Sequence, residues 1–286
     1  MINSQSSARA NVTKGAGRPE QVSLIEVGRT RLRVAVRPGS GDYPPLLLIS
    51  GIGVNFEVFN PFVAALDPDR EIIRFDVPGV GGSPPSYLPL NFACLARLTA
   101  RMLDQLGYKQ VDVLGISWGG ALAQQFALQY SARCRRLILV ATSTGALMFP
   151  AHLTVLTKML NPARYFRADY MRAIAPTIYG GRIRREPELI GKIFEQVHPP
   201  ASLGYYGQML GAAGWTSIHW LFWLRQPTLI IAGDDDPLIP LLNARLMAAL
   251  IPNSTLQIVN DGHLFILTDA PKAAQMTQDF LKGHYA

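Results

Sequence analysis

The sequence predicts an α/β fold in which a mostly parallel central sheet is flanked by helices and interrupted by a helical cap. Three observations predict it: short apolar runs alternate with helical patterns, the runs are almost continuously hydrophobic, and the rhythm breaks between about Leu147 and Leu224. A strand covered on both faces needs apolar side chains pointing both ways, so continuous runs argue for a parallel sheet packed between helix layers.

Val22 to Val27 and Leu32 to Val36 read as an opening strand pair, the second with the alternation of a half-buried strand. Leu46 to Ile49, Ile72 to Phe75, Val111 to Leu114, Leu137 to Ala141, Thr228 to Ala232 and Leu256 to Val259 are the largely apolar runs that follow. Helical patterns fall between them at Phe56 to Leu66, Phe92 to Leu106, Ala121 to Tyr130, Leu241 to Leu250 and Lys272 to Leu281. The expected organisation is a disordered leader over residues 1–21, a core built from residues 22–146 and 225–286, and a cap over residues 147–224.

Bulk properties narrow the classes. The chain has 286 residues, 49% hydrophobic and 16% charged, enough apolar material for one large domain. No run approaches the roughly 20 apolar residues that span a bilayer, so no transmembrane segment is expected. The polar start MINSQSSARANVTKGAGRPEQ has no apolar signal region. The two cysteines, Cys94 and Cys134, fit small packing residues of a reducing cytoplasm better than a disulfide framework. The net charge of +7 comes without a Lys/Arg block interleaved with aromatics, so nucleic acid is not an expected partner. Residues 151–200 hold eight Lys/Arg against four Asp/Glu, which suits either a solvated helix surface or a face meeting an anionic or amphipathic interface.

The chemistry concentrates in three loops. VDVLGISWGGALAQQF carries G-x-S-x-G at Gly115, Ser117 and Gly119, after a strand and before a helix. That context makes a short motif meaningful: a tight strand-to-helix turn lifts the serine hydroxyl above the sheet at a helix N-terminus. A serine needs a base to take its proton. Of the five histidines only His263, in NDGHLF after the last strand, sits on a loop at the C-terminal end of a core strand. The base needs a carboxylate to fix its tautomer. GDDDPLIP offers Asp234, Asp235 and Asp236; Asp236 lies deepest in the loop, before Pro237, but residue chemistry leaves the choice open. Oxyanion donors are expected from the backbone N–H of Trp118 and of Ile52, the latter in ISGIGVN. FDVPGVGGS reads as a structural loop bordering the site. The histidines are scattered and no nucleotide-binding glycine pattern opens a β-α unit, so neither metal nor cofactor is expected.

With these residues the chain resembles the α/β-hydrolases over roughly residues 22–284. More narrowly it is similar to intracellular poly(3-hydroxyalkanoate) depolymerases acting on medium-chain-length storage polyester. The likeness rests on AVRPG, FDVPGVGGS, LTARMLD, SWGGALAQQFA, APTIYGG, GWTSIHWL, QPTLIIAGDDDPLIPL and DGHLF, of which APTIYGG and GWTSIHWL are the more specific. It implies the triad Ser117, Asp236 and His263, a polyester partner, and a cytoplasmic protein at storage granules. One departure is Ser50-Gly51 where many α/β-hydrolases carry His-Gly; a backbone donor at Ile52 does not require that histidine. Trp215, Trp220 and Phe222, with Trp223, would wall the acyl chain, or simply fill the cap's own core. The rival readings are a small-ester or carbon–carbon bond hydrolase of the same fold, and a non-catalytic granule-binding or ligand-sensing protein. The sequence does not assign acyl preference or oligomeric state.

Overall fold

A computed structural model describes residues 19–40, 43–161, 163–195, 197–198 and 202–284; most of the expected leader lies outside these. Eight strands form one sheet: β1 (Gln21–Val27), β2 (Thr30–Arg37), β3 (Leu46–Ile49), β4 (Ile72–Phe75), β5 (Val111–Ile116), β6 (Cys134–Val140), β7 (Thr228–Gly233) and β8 (Ser254–Val259). Their order is β1-β2-β4-β3-β5-β6-β7-β8, with β1, β2 and β4 paired antiparallel and every later pairing parallel. All residues of β3, β4, β5 and β7 are buried, which is why their sequences are nearly continuous hydrophobic runs.

The two faces of the sheet carry separate cores. Helices Phe92–Gln105, Trp118–Gln129 and Leu241–Leu250 pack one face through residues such as Phe92, Leu122, Phe126 and Met247. Helices Asn60–Ala65 and Ala270–Lys282 cover the other through Phe62, Val63, Ala274 and Phe280. The helix expected from Ala121 starts three residues earlier, at Trp118, directly after the serine.

Three sequence expectations are corrected. Cys94 is exposed rather than packed, whereas Cys134 is buried and opens strand β6. β6 begins before the apolar run because Arg135 reaches across to Asp112, Nε to Oδ1 at 2.8 Å, and so occupies a strand position usefully. Glu20, placed in the leader, is paired with Arg74 at 2.5 Å, and Arg74 is a fully buried side chain of β4.

Between β6 and β7 the described chain is helical: Leu153–Leu160, Ala163–Phe166, Ala168–Tyr179, Gly181–Arg185, Leu189–Phe194 and Ser202–Ala212. The chain leaves and returns through a narrow neck. Gly145 and Thr216 form an antiparallel bridge, with Ala146 N–H donating to Trp215 O at 2.7 Å and Ser217 N–H to Thr144 O at 3.0 Å. After the neck, Leu221 and Leu224 already pack in the sheet's core, so residues 216–224 are held by the sheet. The helices have a small cluster of their own, including Met171, Ile174, Ile178, Ile183 and Ile190, joined by Leu238 from the loop after β7.

Candidate active site

The three loops expected to carry chemistry converge at the C-terminal ends of the parallel strands. Ser117 ends β5 with φ 54° and ψ −119°, a conformation that L-residues adopt only when their surroundings hold it. The flanking glycines explain how. A Cβ on Gly115 would overlap the carbonyl of Gly119, and one on Gly119 would overlap the carbonyls of Ile49 and Ser50. Thr142 Oγ1 donates to Ser117 O at 2.7 Å and Ser117 N–H donates to Val140 O at 2.9 Å, pinning the turn.

The three neighbouring aspartates have separate partners. Asp234 accepts from Asn260 at 3.0 Å, and Asp235 pairs with Arg184 at 2.7 Å. Asp236, 6% exposed, lies 2.8 Å from His263 Nδ1 through Oδ2, while its Oδ1 accepts the N–H groups of Leu238 and Ile239, each at 2.9 Å. A carboxylate only accepts, so Nδ1 donates to Asp236 and Nε2 is the ring nitrogen that Asp236 does not engage.

Ser117 and His263 line one narrow cavity of about 60 Å³, together with Ile52, Arg164, Tyr179 and Leu238. A second cavity of about 240 Å³ meets Ser117 from its other side and is walled by Phe92, Trp118, Met148, Trp215 and Ile239. Trp118 N–H opens its helix and has no intrahelical acceptor. The Ile52 loop is tied on both flanks: Tyr165 Oη donates to Ile52 O at 2.5 Å, and Gly53 N–H donates to Gln208 Oε1 at 2.7 Å. Gly53, at φ 69°, is obligatory, since a Cβ there would stand 2.6 Å from Tyr165 Oη. A further cavity, about 400 Å³ between residues 85–90 and helix Ser202–Ala212, contains neither Ser117 nor His263.

The aromatic wall is smaller than the sequence suggests. Trp215 lines the wider cavity, but Trp220 stands behind it in an edge contact at 5.9 Å. Phe222 is 46% exposed, packs on Trp223, and lines neither cavity at Ser117. FDVPGVGGS is structural as expected, with buried Asp76 accepting Phe56 N–H at 2.8 Å and Gly82 N–H at 3.0 Å. Through Val77 and Pro78 it borders the 400 Å³ cavity instead of those at Ser117.

Sequence reasoning missed what APTIYGG does. Tyr179 O accepts the N–H of His263 at 2.8 Å, and the Tyr179 ring stacks on the imidazole at 6.1 Å. Gly181 N–H donates to Asp235 Oδ2 at 2.7 Å, and Arg182 N–H to Asp261 Oδ1 at 2.5 Å. Gly180 and Gly181 have positive φ and press against the backbone of Asp235 and Gly262, where a Cβ on either would overlap. This turn therefore clasps the loop of Asp236 and the loop of His263 together. Burial pushes the Tyr165 and Tyr179 hydroxyls up, so both keep their protons near neutral pH.

Residues 44–270 match the model of the alpha/beta hydrolase fold family. The chain belongs to the α/β-hydrolases and is a hydrolase. Within that family it is 53% identical, over 90% of its own length and 91% of the relative's, to the poly(3-hydroxyalkanoate) depolymerase of Ectopseudomonas oleovorans. It is 24% identical over 79% of its length, and 84% of the relative's, to 3-oxoadipate enol-lactonase 2 of Acinetobacter baylyi. The crystal structure of the enol-lactonase from Burkholderia xenovorans LB400 superposes with a TM-score of 0.77 at 20% identity, covering 91% of this chain and all of that one, a likeness of fold alone. No described helix is long and apolar enough to cross a membrane.

Proposed function

We propose that the chain hydrolyses ester bonds of medium-chain-length poly(3-hydroxyalkanoate) through an acyl-enzyme on Ser117. His263 Nε2 takes the Ser117 proton as Oγ attacks the ester carbonyl. The tetrahedral oxyanion is met by the N–H groups of Trp118 and Ile52. Collapse releases the alcohol end of the bond, protonated by His263, and the same histidine then activates water to free the acyl group. Asp236 holds the imidazole tautomer throughout. The helical segment after β6 acts as the cap over this machinery.

The observation that carries the polyester reading is the 53% identity to a depolymerase along nine-tenths of both chains. Contact with a granule surface is supported less by charge than by exposed apolar residues. Of the basic residues expected to form a patch, Arg164 is buried and Arg172, Arg182 and Arg184 are paired with Asp169, Glu186 and Asp235. Leu153, Leu156 and Leu160 form instead one exposed stripe of a helix, and Leu147, Phe149 and Phe166 are exposed as well. An apolar stripe suits a polyester surface.

The test is release of 3-hydroxy acids from the purified polymer by the parent and by Ser117→Ala. The parent is expected to release them and the variant to fall by about 10⁴-fold or more. Ser117-dependent cleavage of p-nitrophenyl octanoate without release from polymer would assign the chain to small esters instead.

A further inference from the structure

Three arginines are buried among the described residues: Arg70, Arg74 and Arg164. Two have carboxylates. Arg70 faces Asp112 at 3.4 Å, and Arg74 faces Glu20 at 2.5 Å. Arg164, 3% exposed, has no carboxylate in ion-pair reach among the described residues. Its surroundings are phenols: the guanidinium lies 4.1 Å from the Tyr165 ring centre and 5.4 Å from that of Tyr205, and Nη2 reaches Tyr205 Oη only at 3.4 Å. Its buried Nε has no partner. Tyr165 and Tyr179 are held protonated by burial, so neither neutralises it.

A guanidinium keeps its charge at every ordinary pH, and burying a cation without an anion beside it is costly even where aromatic rings face it. Arg164 lines the narrow cavity at Ser117 and His263, whose other walls are largely apolar. The missing counter-charge therefore has a place to come from, which is a ligand in that cavity. Planar, forked donors suit a carboxylate.

We propose that Arg164 is a carboxylate-binding subsite that seats the free carboxyl end of the polyester, so that units leave from that end. This rests on the polyester reading. Such a chain has one free carboxylate, on the unit that supplies the alcohol oxygen of the last ester bond. His263 must protonate that oxygen as it leaves, so the terminal unit belongs on the His263 side of Ser117, with its carboxylate in the cavity that Arg164 lines, which must widen from its 60 Å³ to admit the side chain. The acyl side then occupies the wider cavity at Trp215. In the step itself the Ser117 Oγ–acyl carbon bond forms and the acyl carbon–alkoxide bond breaks. The Ser117 proton passes through His263 to the leaving oxygen, giving a 3-hydroxy acid. Water then cleaves the acyl-enzyme, and the shortened chain ends in a new carboxylate.

Calorimetric titration of the parent protein with 3-hydroxyoctanoate and with its methyl ester tests the subsite. The acid is expected to bind at least tenfold more tightly than the ester. Arg164→Met is expected to bring the ratio to about one, with Arg164→Lys between. Equal binding of acid and ester by the parent, or binding of neither, overturns the proposal without recourse to any variant; so does discrimination that survives in Arg164→Met. A linear dimer of 3-hydroxyoctanoate and its methyl ester separate the two readings. Cleavage favouring the free acid by tenfold supports both. Tight binding of the acid with no cleavage of dimer or polymer retains the carboxylate subsite and removes the polyester reading.

Discussion

The sheet and the helical segment between β6 and β7 are built on different terms. The sheet buries β3, β4, β5 and β7 completely and holds two large cores, one on each face. The helices after β6 share one small cluster and leave Leu153, Leu160 and Phe166 more than half exposed. Yet the less consolidated region touches the chemistry directly, because the Tyr179–Gly181 turn clasps the loops of Asp236 and His263. The comparison teaches that the sheet fixes where Ser117 stands, whereas the partners of Ser117 are positioned by both regions together.

The clasp is the place to break that dependence. Gly181→Ala puts a Cβ into Gly262 N, so the two loops must part. We expect kcat/KM on p-nitrophenyl octanoate to fall by about 10²-fold, since a displacement on the order of 1 Å suffices for that. Stability should fall by about 2–4 kcal/mol in thermal melts. Unchanged kinetics would return the catalytic loops to the sheet alone. The exposed stripe sharpens the comparison from the other side. Leu153→Asp with Leu156→Asp should weaken sedimentation with polyester granules by at least about tenfold, because each buried leucine contributes about 1.5–3 kcal/mol. Turnover of a soluble ester should hold. Smallest is the effect at the neck. Trp215→Ala should lower kcat/KM for octanoyl esters by about tenfold and move the preferred acyl chain longer, measured over a series of p-nitrophenyl esters. An unchanged preference would leave Trp215 as packing only.

The legible parts of the sequence were those where a local rule is strict. Strands buried on both faces must be apolar throughout, so β3, β4, β5 and β7 were visible as continuous runs, with β6 blurred by Arg135 and Arg136 at its start. G-x-S-x-G was visible because Gly115 and Gly119 are required by backbone overlap, which no larger residue escapes. The choice among Asp234, Asp235 and Asp236 was open locally because their separation depends on Asn260, Arg184 and His263, distant in the chain. Arg164 gave no signal, since the lack of a carboxylate partner is a property of three dimensions. The aromatic wall was over-read for a related reason: composition does not tell that Trp220 stands behind Trp215 or that Phe222 faces outward.

The close fit of Gly180 and Gly181 against Asp235 and Gly262 bears on how such a fold diversifies. A helical segment grafted onto this sheet without those two glycines in register could not make that fit, and the imidazole loop would lose its hold on the Tyr179 carbonyl. The helical segment and catalytic alignment are thus coupled here. A chimera that aims to exchange the first must transplant residues 179–182 together with the loops they grip.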